Sequence, residues 1–198
     1  MAFVRLALGL TLLFPATAWA EWQFKPFIGT TLAGQSTFVF TEEAATERHL
    51  VVGGSAAWLG NVFGVEGEIT RVPGFFQADA DSSPLGSGVT TLMGSVVVTL
   101  PRRLTQYSLR PYLTAGGGWM RIGISQQTGV FDVNQTMTAL AFGGGATGFL
   151  TDRVGLNWDL RYLRTVGGEE DTGLTIGRER VSYWRASMGV AIRVGRSR

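Results

Sequence analysis

Apolar and polar side chains alternate with a period of two along most of the chain, the spacing that sends successive residues to opposite faces of a strand. The first stretch carries Phe24, Pro26, Ile28 and Leu32 on one face and Gln23, Lys25, Gly29 and Thr31 on the other. A second offers Leu50, Val52, Ala56 and Trp58, and a third sets Phe63, Val65 and Ile69 against Glu66, Glu68 and Thr70. The fourth sets Leu92, Val96, Val98 and Leu100 against Thr91, Ser95 and Thr99, and the fifth Pro111, Leu113, Ala115 and Trp119 against Arg110, Thr114, Gly116 and Gly118. In the sixth, Ala139, Ala141, Thr147 and Phe149 share one face and Leu140 and Phe142 the other, which leaves its facing open. The seventh sets Val154, Leu156, Trp158, Leu160 and Tyr162 against Gly155, Asn157, Asp159 and Arg161. The eighth sets Trp184, Ala186, Met188, Val190, Ile192 and Val194 against Tyr183, Arg185, Ser187 and Arg193.

The connections alternate too. Short ones at Gly60-Asn61, Pro101 to Tyr107 and Thr151-Asp152-Arg153 take turns with long ones at 35–49, 72–88, 123–136 and 165–181. Short turns on one side and long loops on the other describe an all-β, eight-stranded, antiparallel up-and-down transmembrane β-barrel. An unpaired backbone group in hydrocarbon costs several kcal/mol, so the eighth strand is expected to pair with the first and close the sheet.

Volume decides which face meets lipid. The interior of an eight-stranded barrel is only wide enough for side chains to fill it. The bulky faces therefore point outward, and the faces rich in Gly, Thr, Ser and charge point inward. That places Lys25, Glu66, Glu68, Asp159, Arg161 and Arg185 in the lumen, both signs together, as an expected ion-pair network that plugs the barrel. Aromatic girdles are expected at the two bilayer interfaces. Trp22, Phe24, Trp58, Phe63, Tyr107 and Phe149 fall beside the short turns, Phe75, Phe76, Trp119 and Tyr162 beside the loops, with Trp158 and Trp184 completing the aromatic outer surface.

The first twenty residues follow another pattern. Arg5, an apolar run from Leu6 to Phe14, Pro15 and Ala18-Trp19-Ala20 predict a secretory signal peptide cut after Ala20, leaving residues 21–198 as one barrel domain. An exported chain without cysteine has neither disulfides nor a thiolate for metal or catalysis. A net charge of +2 with no basic cluster excludes a nucleic-acid partner. The 28 glycines fit a narrow barrel in which strands bend sharply.

Several stretches resemble the bacterial outer-membrane β-barrel family that includes the transmembrane domain of outer membrane protein A and the small adhesin and resistance barrels. They are Gly64-Val65-Glu66-Gly67-Glu68, Arg110-Pro111-Tyr112-Leu113 followed by Gly116-Gly117-Gly118-Trp119, and Leu150 to Leu156 running on to Leu160-Arg161-Tyr162. The resemblance implies a monomer in the outer membrane among lipid and lipopolysaccharide, delivered there by the barrel assembly machinery. The last strand closes near Val194 without the terminal aromatic residue common in that family.

Candidate chemistry is sparse. No phosphate-binding loop, dinucleotide fingerprint, zinc pattern or calcium loop is present, so no cofactor is implied. His49, the single histidine, is read as a solvated residue at a loop edge; the His-x-Ser pattern of lipid A deacylases is missing because Leu50-Val51 follow it. The long loops are acidic, with Glu42, Glu43, Asp79, Asp81, Glu169, Glu170 and Asp171, and a divalent cation held there would bridge to lipopolysaccharide phosphates. The expected role is structural, in envelope integrity, or adhesive through loops that meet host or envelope proteins. A lipid-modifying enzyme and a soluble lipocalin-like carrier are the alternatives.

Overall fold

The computed structural model describes residues 21–36, 48–75, 86–101, 109–125, 132–166 and 181–194. Eight strands run in chain order: β1 (Glu21–Ser36), β2 (Leu50–Leu59), β3 (Phe63–Pro73), β4 (Gly86–Thr99), β5 (Leu109–Ser125), β6 (Asp132–Phe149), β7 (Val154–Thr165) and β8 (Val181–Val194). Each pairs antiparallel with its neighbour in sequence, and β1 pairs with β8, so the sheet is a closed barrel. Closure satisfies the backbone of both would-be edge strands, the condition for an all-β structure in hydrocarbon.

The outward face is apolar. Leu113 is 69 % exposed and Phe63 68 %, and Ile28, Leu92, Trp119 and Phe142 are also more than half exposed. An apolar surface this extensive would drive association in water but matches lipid tails. On β6 the open question of facing is settled by volume: Leu140 and Phe142 point outward, while Ala139, Ala141 and Thr147 point in. Phe142 then packs at 5.2 Å from Tyr162, which lies 5.2 Å from Trp184, an aromatic cluster across β6, β7 and β8.

Two expected loops differ from their prediction. The third, placed at 123–136, is mostly strand: β5 and β6 stay in register as far as Ser125↔Asp132 and are joined by residues 126–131 alone. Inter-strand hydrogen bonding overrides the polar, turn-like composition there. The first begins after β1 has bulged, with the β1–β8 register shifting between Leu32 and Gln35 and Ala33 at φ 48°. A bulge of this kind at a barrel rim adds local twist.

The short turns are fastened by backbone and side-chain hydrogen bonds. Gly60 N–H donates to Phe63 O at 2.8 Å in the β2–β3 turn, and Thr151 Oγ1 accepts from Val154 N–H at 3.0 Å in the β6–β7 turn. Glycine matters most where β5 crosses β4: a Cβ on inward-facing Gly118 would strike the carbonyl oxygen of Leu92. That close approach is open to glycine alone.

Candidate functional site

Inward-pointing side chains fill the barrel in three layers. At the short-turn end Arg110 donates to Gly60 O at 2.6 Å, to Thr99 Oγ1 at 2.7 Å and to Glu21 Oε1 at 3.2 Å. Arg193 meets the other carboxylate oxygen of Glu21 at 2.7 Å, donates to Asp152 O at 2.9 Å and lies 3.8 Å from the centre of the Phe149 ring. Two arginines thus lock two short turns to one carboxylate. Phe149 is therefore half-buried beneath a guanidinium, not the lipid-facing girdle residue expected from its place beside a turn.

The middle layer brings together the six charged residues singled out in the sequence. Lys25 Nζ donates to Glu66 Oε2 at 2.6 Å. Arg161 touches all three carboxylates: Nη2 donates to Glu66 Oε1, Nε donates to Asp159 Oδ1 at 2.8 Å, and Nη1 stands 3.2 Å from Glu68 Oε2. Arg185 grips Glu68 through its two terminal guanidinium nitrogens, at 2.6 and 2.8 Å, and reaches Asp159 Oδ1 through Nη2 at 3.2 Å. Three cations and three anions interlock with no net charge, and none of the six is more than 7 % exposed. Forked, charge-assisted bonds of this kind are the stronger class of hydrogen bond.

Neutral side chains finish the layer. The Tyr112 hydroxyl donates to Asp159 Oδ2 at 2.8 Å, and Thr147 Oγ1 donates to Asn157 Oδ1 at 2.7 Å. Lys25 lies over the Tyr112 ring at 5.0 Å and Arg185 over Phe27 at 4.8 Å. Glu21, Arg110, Arg193 and Tyr112 were missed as network members. Glu21 read as a chain terminus beside the predicted cleavage point; an inward-facing arginine at position 110 needing a carboxylate was the available signal.

Toward the loops the interior is not polar but apolar. Phe75, Val72, Val89, Met120, Ile122, Leu163 and Tyr183 are buried there around Thr70 and Thr91, whose hydroxyls hydrogen-bond to each other. Phe75 stands 5.4 Å from both His49 and Tyr183. Phe75 is thus a luminal residue and not part of a girdle, and His49 is buried and not solvated. The His49 backbone N–H donates to Thr31 Oγ1 at 2.9 Å, and its carbonyl accepts from Thr31 N–H at 3.0 Å. Near the loop end the polar phase turns outward, with Arg71, Arg121 and Arg164 exposed beside buried Val72, Ile122 and Leu163, so taking the polar face as luminal along the whole strand missed this layer.

The aromatic residues expected at the interfaces divide by position. Trp22 and Trp58 are direct cross-strand partners on the outward face near the short turns, and Trp119 and Trp158 are likewise exposed outward. Tyr162 and Trp184 belong to the cluster with Phe142 toward the loop side. Tyr107, Phe76 and the acidic loop residues Glu42, Glu43, Asp79, Asp81, Glu169, Glu170 and Asp171 lie outside the described residues, as does the expected signal peptide.

A closed antiparallel barrel with an apolar exterior and interlocked charges within is the architecture of a membrane-spanning β-barrel. The chain belongs to the outer membrane protein beta-barrel domain family, whose model matches residues 6–191. It is an outer-membrane protein of the small eight-stranded type. Neisserial surface protein A is similar in fold, with a TM-score of 0.61 at 18% identity over 87% of this chain and 97% of that one. The N-terminal β-barrel domain of OprF from Pseudomonas aeruginosa gives 0.52 at 16% identity over 88% and 97%, respectively. OprG from Pseudomonas aeruginosa gives 0.52 at 12% identity over 90% and 98%. No curated protein matches the chain in sequence.

Proposed function

We propose that the chain is a non-enzymatic, monomeric envelope protein whose filled barrel supports outer-membrane integrity and whose loops are displayed to host or envelope partners. The observation that carries this is the neutral, interlocked network of Lys25, Glu66, Glu68, Asp159, Arg161 and Arg185, which occupies the lumen with ion pairs between its own members. Surrounding lipopolysaccharide is the expected lipid partner, and export through a signal peptide cut after Ala20 and insertion by the barrel assembly machinery the expected route. Catalysis is not favoured, because His49 is buried against Phe75.

A deletion strain complemented with either the full chain or a barrel with shortened loops tests the division of labour. Detergent sensitivity of the deletion strain, restored by both versions, is expected. Restoration by the full chain alone would move the whole function to the loops, and no sensitivity in the deletion strain would remove the integrity role. A lipid A profile altered by His49→Ala would overturn the non-enzymatic reading.

A further inference from the structure

Among the described residues, the seams between strands consecutive in the chain hold their register without a break. The β1–β8 seam, which joins the first strand to the last, does not. Its pairs run from Trp22↔Val194 to Phe24↔Ile192, resume at Phe27↔Gly189, continue to Leu32↔Trp184 and shift at the bulge before Gln35↔Ser182.

The first gap has an atomic cause. In a strand the N–H groups of alternate residues point toward the same neighbour. Thr31 N–H donates to His49 O, just ahead of β2, so odd-numbered residues of β1 donate toward β2 and even-numbered ones toward β8. Position 26 is even, and proline has no N–H to give. On β8, Arg193 N–H donates to Arg153 O on the β7 side, so the even-numbered residues of that strand face β1. The Val190 carbonyl therefore points at the Pro26 nitrogen, and the ladder bond between them cannot form. Pairing with β2 passes through Pro26↔Gly54 unbroken, because the proline nitrogen faces away from that strand. Pro26 is exposed among Phe24, Ile28, Met188 and Ile192, all facing lipid, where no water can take the place of the missing donor.

A proline and a bulge are devices that keep an open strand edge from pairing with a stray chain. In a closed sheet they only weaken the ladder; on an edge that stays open until the last strand arrives they protect it. We propose that β1 is a blunted edge on its β8 side: Pro26 and the Ala33 bulge keep it from pairing with other copies of the chain until β8 reaches it, and make β1–β8 the seam that closes last and parts first. The Glu21–Arg193 ion pair and the stacking of Arg185 on Phe27 bridge the same seam from inside, so the gaps weaken it without leaving it open.

Amide exchange of the full chain refolded in detergent, read residue by residue by NMR, tests the seam. Ile28 and Thr30 donate toward β8, Phe27 and Gly29 toward β2, and all four lie on one stretch of β1, so depth cancels in the comparison. Ile28 and Thr30 are expected to exchange faster on the order of tenfold, the weight of about one ladder hydrogen bond. Pro26→Val, which restores the donor, should close most of that difference. Equal exchange of the four amides in the parent overturns the weak seam, and an unchanged difference in a folded Pro26→Val overturns the part given to Pro26. Refolding at rising protein concentration reads the edge. Pro26→Val is expected to lose more chain to association than the parent, whereas Ile28→Val, on the same face with its donor intact, should refold as the parent does. Association of Pro26→Val no greater than that of the parent overturns the edge protection. Should Pro26→Val fail to close, judged by heat-modifiable migration, the exchange of the parent alone decides whether β1–β8 is the weak seam.

Discussion

Arg161 and Lys25 share a carboxylate yet stand differently in the interior. Arg161 bonds or abuts Glu66, Glu68 and Asp159, whereas Lys25 meets Glu66 alone among the acids. Removing one partner of a buried pair costs about 3–5 kcal/mol because the other charge is left uncompensated. Arg161→Met, which strands three carboxylates against Lys25 and Arg185, should therefore lose at least that much, and Lys25→Met clearly less, since Glu66 keeps Arg161. Urea unfolding of the lipid-reconstituted barrel, followed by tryptophan fluorescence, checks the order; equal losses would mean that the layer does not act as one network. Membership was legible because Glu66, Glu68, Asp159, Arg161 and Arg185 all fall on the polar phase of their strands. The individual bonds were not, because the middle layer joins residues as far apart in sequence as Glu68 and Arg185, which only closure and stagger bring together.

The strands themselves were the most readable level, since period-two alternation fixes which side chains share a face and a slip of one residue would reverse them all. β3 and β7 follow it without exception: each inward residue from Gly64 to Val72 and from Gly155 to Thr165 is buried. β6 resisted reading because Gly143-Gly144-Gly145 carries no side chains to alternate, and small Ala139 and Ala141 could sit on either face. The bulge near the end of β1 left no sequence mark, because alanine stands where glycine would fit best. Ala33 holds φ 48°, a left-handed conformation that costs a residue with a Cβ about 1–2 kcal/mol. Ala33→Gly should therefore stabilise the β1–β8 seam by about 1 kcal/mol after the added flexibility of the unfolded chain is offset. A higher urea midpoint for the refolded variant is the expected result. A lower one would mean that the bulge relaxes when the methyl group is lost.

Taken whole, the molecule inverts a soluble protein outside but only half inverts it inside. Outward faces are apolar for lipid, and the interior runs from polar at the short turns to apolar under the loops. The expectation of a uniformly polar lumen failed for a physical reason: the loop-side interior needs no charge when Phe75, Tyr183, Met120 and Ile122 can fill it as an ordinary core. The two layers oppose ion flow in different ways. In the middle, an ion must displace members of a neutral, interlocked network; above it, the ion must shed water among mostly apolar side chains with few hydroxyls, such as those of Thr70 and Thr91, to replace it. Either layer alone should suffice. The parent protein in a planar bilayer is therefore expected to show no steady conductance, and so is Phe75→Ala/Tyr183→Ala, which opens the apolar layer and leaves the charges locked. Adding Glu68→Ala/Arg185→Ala to that pair should open both layers and give ion-conducting events in whatever fraction of the protein still closes, judged by heat-modifiable migration. Steady conductance of the parent would make the barrel a channel despite its packed interior, and conductance of the Phe75→Ala/Tyr183→Ala protein would place the whole barrier in the apolar layer.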